Sequence, residues 1–168
     1  FFQAEDVIRY VERSRGLGYV YKRQFLYKPK IPPNTGNIIR LMANTGFYLH
    51  LIEPLGFSIN DKSLRRAGMD YIKKTDYHLW PDLDTCLNKI NYHSVYSIST
   101  KGKKIYSDLN YKKDDAFIFG PETTGLPQKI IDQYDSITIP MKSAGRSINL
   151  ANAVSIIVYE AWRQLNFM

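Results

Sequence analysis

From residue 25 onward, short apolar runs alternate with stretches of helical periodicity, and this alternation leaves few folds open to the chain. Residues 25–27, 47–52, 75–80, 94–99, 116–119 and 136–141 read as strands. Residues 35–45, 81–90, 127–133 and 149–165 read as helices, and Asn60 or Asp61 is placed to cap a short helix ending near Gly68. The last helix is the clearest, with Leu150, Ala153, Val154, Ile157, Val158, Ala161, Trp162 and Leu165 recurring at helical spacing. Strand–helix–strand order predicts an α/β fold: a mostly parallel sheet with helices on both faces. Pro32 and Pro33 fix φ and are read as forbidding helix before Asn34, whose side chain would then cap it. Gly46 suits the residue just past that helix.

Residues 1–24 stand apart. The runs 11–18 (VERSRGLG) and 20–24 (VYKRQ) resemble a translated sequencing-adapter read, so 1–24 is set aside as a non-native segment and 25–168 is taken as the functional domain. The competing reading is a genuine amphipathic helix over 3–14, with Val7, Ile8 and Val11 on one face. If residues 25–27 are the tail of a first strand, residues 20–23 fill in for its missing half.

Charge and composition narrow the function. The whole chain carries a net charge of +7, and 25–168 stays basic with 18 Lys and Arg against 13 Asp and Glu, which suits a polyanionic partner. No apolar run approaches the ~18–20 residues of a membrane span, and no secretory pattern is present. A single cysteine, Cys86, excludes an internal disulfide framework and a cysteine-cluster zinc site, and the expected setting is a reducing cytoplasm.

In parallel α/β sheets, ligands bind at the carboxyl ends of strands, which directs attention to the loops after Tyr27, Ser99, Phe119 and Met141. Three of these loops hold unusual sequence. The first is Ile31-Pro32-Pro33-Asn34-Thr35-Gly36-Asn37, leading to Arg40. The second is Phe119-Gly120-Pro121-Glu122-Thr123-Thr124-Gly125-Leu126, whose glycines allow close backbone approach to a ligand. It lacks the Lys-Ser/Thr pair of a phosphate-binding P-loop and the spacing of the dinucleotide fingerprint. The third follows Ile139-Pro140-Met141 and gathers Ser147, Asn149 and Asn152 at the start of the long helix, where Ser147 or Asn149 serves as N-cap.

Taken together, segments 31–47 (IPPNTGNIIRLMANTGF), 61–71 (DKSLRRAGMDY), 119–127 (FGPETTGLP) and 146–165 (RSINLANAVSIIVYEAWRQL) resemble the SpoU class of the SPOUT superfamily, and within it the tRNA (cytidine/uridine-34)-2′-O-methyltransferases. The resemblance spans roughly residues 25–168 and departs at Thr124, where a basic residue is more usual, and at the loop 142–145. It implies a C-terminal trefoil knot, a homodimer, S-adenosyl-L-methionine as cofactor, no metal, and a tRNA substrate. By position, Ile98, Gly120, Ile139 and Ser147 match cofactor contacts, and Asn34, Arg40, Glu122, Ser147 and Asn149 match the motif residues of catalysis.

Methyl transfer to a ribose 2′-oxygen needs alignment and help for a weakly acidic hydroxyl. Arg40 is the class's usual candidate base. Its guanidinium, normally a fixed cation, is better suited to orienting the ribose–phosphate and stabilising a developing alkoxide. Glu122 is expected to organise its motif by bonding backbone or Arg groups, and Ser147 and Asn149 to position hydroxyl or cofactor. His50, His78 and His93 lie outside the three loops and are read as structural. Arg40, Lys62, Arg65, Arg66 and Lys142 are the candidate RNA contacts, while Lys101, Lys103 and Lys104 read as a solvated loop with some attraction for RNA. Tyr159 and Trp162 read as core or dimer contacts. Two alternatives stay open: a SpoU-class enzyme acting on another tRNA or rRNA ribose, and a non-catalytic RNA-binding module on the same fold.

Overall fold

The structure, a computed structural model, describes residues 22–59, 62, 64, 66, 77–142 and 147–168. In chain order these form β1 (Arg23–Tyr27), α1 (Pro32–Thr45), β2 (Tyr48–Ile52), β3 (Tyr77–Trp80), α2 (Leu83–Lys89), β4 (Val95–Ile98), β5 (Lys104–Ile105), a single 3₁₀ turn (Tyr106–Asp108), β6 (Ala116–Phe119), α3 (Gln128–Gln133), β7 (Asp135–Thr138) and α4 (Leu150–Gln164). The strands make one seven-stranded sheet in the order β3-β2-β1-β6-β4-β7-β5, and every pairing is parallel.

A parallel sheet is covered on both faces, so its central strands are apolar throughout. β6, read Ala-Phe-Ile-Phe, is buried at all four positions. One face packs Leu26, Leu49, Leu51, Phe117 and Phe119 against Ile38, Ile39 and Met42 of α1 and Val154, Ile157 and Val158 of α4. The opposite face packs Phe25, Ile52 and Ile118 against Leu83, Cys86 and Leu87 of α2 and Ile130 and Ile131 of α3. Helices therefore cover both faces, as the alternation predicts. Gly46 ends α1 in the left-handed region at φ 73°, its N–H donating to the Met42 carbonyl at 2.8 Å.

Four local expectations are corrected. α1 begins at Pro32, because the two prolines occupy its first turn, where no N–H is needed by the helix and φ is already helical. Asn34 consequently lies inside the helix; the N-cap is Ile31, with no side-chain cap of its own. β7 stops at Thr138, so Ile139-Pro140-Met141 is loop; a proline cannot donate to the ladder. Lys104 is not in a solvated loop but pairs in edge strand β5 beside β7, with its ammonium 3.1 Å from Asp135. Of the short helix near residue 60, Lys62, Leu64 and Arg66 are helical; Asn60, Asp61 and Gly68 lie outside the described residues.

β1 begins two residues before the domain boundary placed at residue 25. Arg23 and Gln24 lie in the strand, Lys22 just before it, and all three are buried. The Lys22 ammonium donates to the carbonyl of Ala161 in α4, and burial lowers its pKa to about 8 against the opposing pull of Asp115 and Glu160.

The chain between β4 and β6 runs outward past β7 to form β5 and then returns to the sheet centre. On the way back it meets the end of α4: Tyr111 N–H donates to Gln164 Oε1 at 2.8 Å, and Gln164 Nε2 donates to the Leu109 carbonyl at 2.9 Å.

Candidate functional site

Strand order reverses beside β1 and β6, and the carboxyl ends of β6, β4 and β7 open there onto a cavity of about 430 Å³. Ile98, Gly120, Ile139 and Ser147, the four candidate cofactor contacts, all line it. Leu126, Ile131 and Leu150 add apolar wall; Ser99, Thr100, Thr138 and Gln128 add polar groups. Lys101 and Glu122 are the charged lining residues.

The loop after β6 is shaped by its glycines. Gly125 sits at φ 67° and its N–H closes a turn onto the Pro121 carbonyl at 2.9 Å. At Gly120 a Cβ would lie 2.3 Å from the Leu126 backbone nitrogen, so no larger residue fits the fold-back. The loop after β4 is equally tight. A Cβ on Gly102 would meet the Ile137 carbonyl carbon at 2.2 Å, and the Gly102 N–H donates to the Ser99 carbonyl at 3.1 Å.

Glu122 leaves the loop after β6 and reaches the start of α1. Its carboxylate accepts from the Lys30 N–H at 2.9 Å, the Ile31 N–H at 3.2 Å and Asn34 Nδ2 at 3.1 Å. The anion thus sits at a helix N-terminus, where unpaired N–H groups and the helix dipole favour negative charge. The Asn34 side chain thus meets a residue 88 positions away. Asn34 then passes the connection on: its Oδ1 accepts from Asn149 Nδ2 at 3.0 Å. Asn149 is the N-cap of α4, its Oδ1 accepting from Ala151 N–H at 2.9 Å and Asn152 N–H at 3.4 Å.

Glu122, Asn34 and Asn149 therefore form one hydrogen-bonded chain that ties the two helix starts to the β6 loop. The structure brings the three unusual loops together. Glu122 bonds backbone N–H groups, one of the two roles expected of it.

Other candidates fall elsewhere. Arg40 is exposed on α1, more than one turn past Asn34, and is not among the cavity-lining residues. Lys62 and Arg66 are exposed helical positions outside the cavity; Arg65 lies outside the described residues. Lys142 is exposed and directly follows Met141, which lines the cavity. Sequence reasoning missed Thr100, Thr138 and Gln128. The tight turn at Gly102, just past a strand end, was the available signal for the first.

The histidines are away from the cavity. His50 is buried, stacks on Phe25 with ring centroids 4.8 Å apart, and accepts at Nδ1 from Trp80 Nε1 at 3.0 Å. Burial foremost, with the His78 and Arg23 charges, lowers its pKa to about 3. Cys86 is buried in α2, and burial raises its thiol pKa. Among the described residues no group of three or more His, Cys, Asp or Glu is placed to hold a metal ion, and no helix is long and apolar enough to cross a membrane.

The SpoU rRNA Methylase family model matches residues 23–159. A tRNA (cytidine(34)-2′-O)-methyltransferase of Escherichia coli (strain K12) is 52% identical over 145 residues, covering 84% of this chain and 92% of that protein. A solved structure described as "Structural insights into the 2-OH methylation of C/U34 on tRNA" superposes with a TM-score of 0.84 at 37% identity, over 88% of this chain and 98% of that one. The SpoU methyltransferase AviRb from Streptomyces viridochromogenes in complex with the cofactor AdoMet superposes with a TM-score of 0.80 at 21% identity, over 90% of this chain and 60% of that one, a likeness of fold.

Proposed function

The chain belongs to the SpoU rRNA methylase family, and from that premise we propose that it is a tRNA (cytidine(34)/5-carboxymethylaminomethyluridine(34)-2′-O)-methyltransferase using S-adenosyl-L-methionine. The observation that carries the reading is the meeting of three motif loops through Glu122, Asn34 and Asn149 beside a cavity lined by Ile98, Gly120, Ile139 and Ser147. The names of the 52% identical E. coli relative and of the 37% identical solved structure support the C/U34 ribose as substrate.

The cavity fits the cofactor on its own chemistry. Its size falls within the ~300–1,000 Å³ usual for small-molecule sites. Its aliphatic wall suits a flat adenine, and the glycine-tightened loops bring main-chain groups within reach of the polar edges. Ile98, Gly120, Ile139 and Ser147 would hold the molecule. When bound, it supplies a methyl group on a positively charged sulfur.

The chain's own residues contribute geometry and charge. Glu122 and Asn34 fix the start of α1, and Asn149 fixes the start of α4, so that Ser147 and the helix bearing Arg40 keep a set relation. Arg40 orients the ribose–phosphate and stabilises the 2′-oxygen as it loses its proton, a role for which a permanent cation is suited. Arg40 does not line the cavity of its own chain, and an RNA site shared between two copies would bring it into play. A homodimer is further supported by aromatic surface at the end of α4, where Tyr159 is 48% and Phe167 56% exposed around Trp162.

A C-terminal trefoil knot is supported by the path of residues 99–115 around β7 and onto the end of α4. Lys62, Arg65, Arg66 and Lys142 add RNA contacts, and the setting is the cytoplasm, where tRNA is found. No metal is needed by this mechanism.

The test is transfer of labelled methyl from S-adenosyl-L-methionine to total tRNA, with the product mapped to the nucleotide. A 2′-O-methyl at position 34 is expected. Methylation confined to another ribose, or none in the presence of cofactor and a full tRNA pool, overturns the reading.

A further inference from the structure

The loop after β1 carries two lysines that no part of the preceding mechanism uses. Lys28 stands at φ 51°, a left-handed conformation unusual outside glycine, and its ammonium lies over the Tyr27 ring, 5.2 Å from the centroid. Lys30 is exposed, two residues on. Four backbone bonds hold this short loop. Lys28 N–H donates to the Ile52 carbonyl at 3.0 Å, Gly56 N–H donates to the Pro29 carbonyl at 2.9 Å, and the N–H groups of Lys30 and Ile31 reach Glu122. Gly56 packs so closely on Lys30 that a Cβ there would lie 2.8 Å from the Lys30 Cα.

Placement gives this loop its meaning. β1 neighbours β6, so the loop stands beside the cavity mouth and is bonded directly to the cavity-lining Glu122. The cavity's own β6 loop, from Phe119 to Gln128, contains no basic residue. Glu122, the acid nearest along the bonded path, is engaged by three N–H donors. Among the described residues neither Lys28 nor Lys30 is in an ion pair.

We infer that Lys28 and Lys30 form a phosphate-binding rim that seats the RNA backbone beside the methyl-transfer cavity. The inference rests on the RNA-methyltransferase reading above. Four bonds to its main chain fix where both lysine side chains start, and each phosphate they engage releases condensed counterions. Phosphate contacts of this kind set position and register and carry no sequence information.

The test is tRNA binding by the full chain over a salt series, comparing wild type with the double variant Lys28→Asn, Lys30→Gln. Asparagine tolerates the left-handed conformation at position 28, so the loop keeps its backbone. A second double variant, Lys112→Gln with Lys113→Gln, removes the same charge just ahead of β6, at the opposite end of the sheet. For the loop variant, the slope of log affinity against log salt should shrink by about 1.5, from ~0.7–0.9 per phosphate. Its affinity near 0.1 M salt should fall by roughly an order of magnitude or more on the same counting.

S-adenosyl-L-methionine affinity by calorimetry should not change, and the Lys112/Lys113 variant should keep the wild-type slope. Two results overturn the inference: a wild-type slope in the loop variant, or equal loss in both variants, which would mean diffuse attraction by net charge. Methyl transfer is scored separately. Wild-type chain that binds tRNA with the expected Lys28/Lys30 dependence but transfers no methyl refutes the enzymatic reading and leaves the rim standing.

Discussion

Gln24→Leu should make this protein more stable. Gln24 is 0% exposed in the centre of the sheet, between Leu49 of β2 and Phe117 of β6, and among the described residues neither Nε2 nor Oε1 has a hydrogen-bond partner. A buried polar group without a partner costs about 1–3 kcal/mol, and here both ends of an amide are affected. Leucine is one atom shorter but carries the same two-pronged end, and it replaces the amide by methyl groups facing the Leu26, Leu49 and Leu51 side of the core. Allowing for imperfect repacking, the net gain is about 2–4 kcal/mol. For a chain of this size that corresponds to roughly 5–15 °C in Tm.

The assay is urea unfolding at fixed protein concentration, with an unchanged m-value required so that the shift reports stability. Gln24→Ala is the control. It also removes the amide but leaves a void, so its two effects oppose and it should lie within about 1 kcal/mol of wild type. If Gln24→Leu is no more stable than wild type, the amide is satisfied in solution and the reasoning fails. The same polar run, Lys22-Arg23-Gln24, is what a central parallel strand should not contain, and it falls within the segment proposed to be non-native.

Three further outcomes are expected. Arg40→Ala should lower single-turnover methyl transfer by ~10²–10³ while leaving calorimetric S-adenosyl-L-methionine affinity close to wild type, and Arg40→Lys should also fail, since a point charge does not replace a planar fork. Asn149→Asp should keep the α4 cap but set a carboxylate oxygen against Asn34 Oδ1. Transfer should drop by about 10-fold or more, with stability changed by less than ~2 kcal/mol. Stability should also depend on pH through two buried bases, measured by unfolding across pH 4–10. His50, neutral in the fold with its pKa lowered to about 3, contributes stability present above its unfolded value of 6.5 and lost as pH falls below it, at up to ~1.4 kcal/mol per pH unit. Lys22, lowered to about 8 from 10.5, makes stability rise between those two values, and Lys22→Met should abolish that upper slope.

The fold was legible because its signals are local and redundant. β6 reads Ala-Phe-Ile-Phe and is buried at every position, and α4 repeats its apolar stripe over four turns. The errors fell where one local rule competed with another. By spacing alone Pro32 and Pro33 forbid helix before Asn34, yet in the first turn they serve as helix starters. Asn34 was read as a cap because it follows the prolines, but its amide is engaged by two residues far along the chain. No window around residue 34 contains Glu122 or Asn149, so the connection was invisible to any reading by spacing. The loops were recognisable as unusual, and only the sheet order explains why they meet.

The hydrogen-bonded chain also restricts the chemistry. Both carboxylate oxygens of Glu122 accept N–H bonds, and the Oδ1 atoms of Asn34 and Asn149 accept as well. What the two amides have left to offer is N–H, and Arg40 offers only donors. Of the motif residues, Ser147 alone keeps a hydroxyl, a poor base at neutral pH. In the proposed mechanism, what these residues still have to offer suits steadying an oxyanion better than taking a proton. The prediction is specific to rate. With tRNA and cofactor saturating, single-turnover transfer should rise about tenfold per pH unit from pH 6.5 to 9, because the fraction of ionised 2′-hydroxyl sets the rate. A side-chain base would instead produce a plateau above its own pKa. A rate that levels off near neutral pH, with cofactor binding unchanged across the range, would show that a proton acceptor exists in the site and that the donor-only account is wrong.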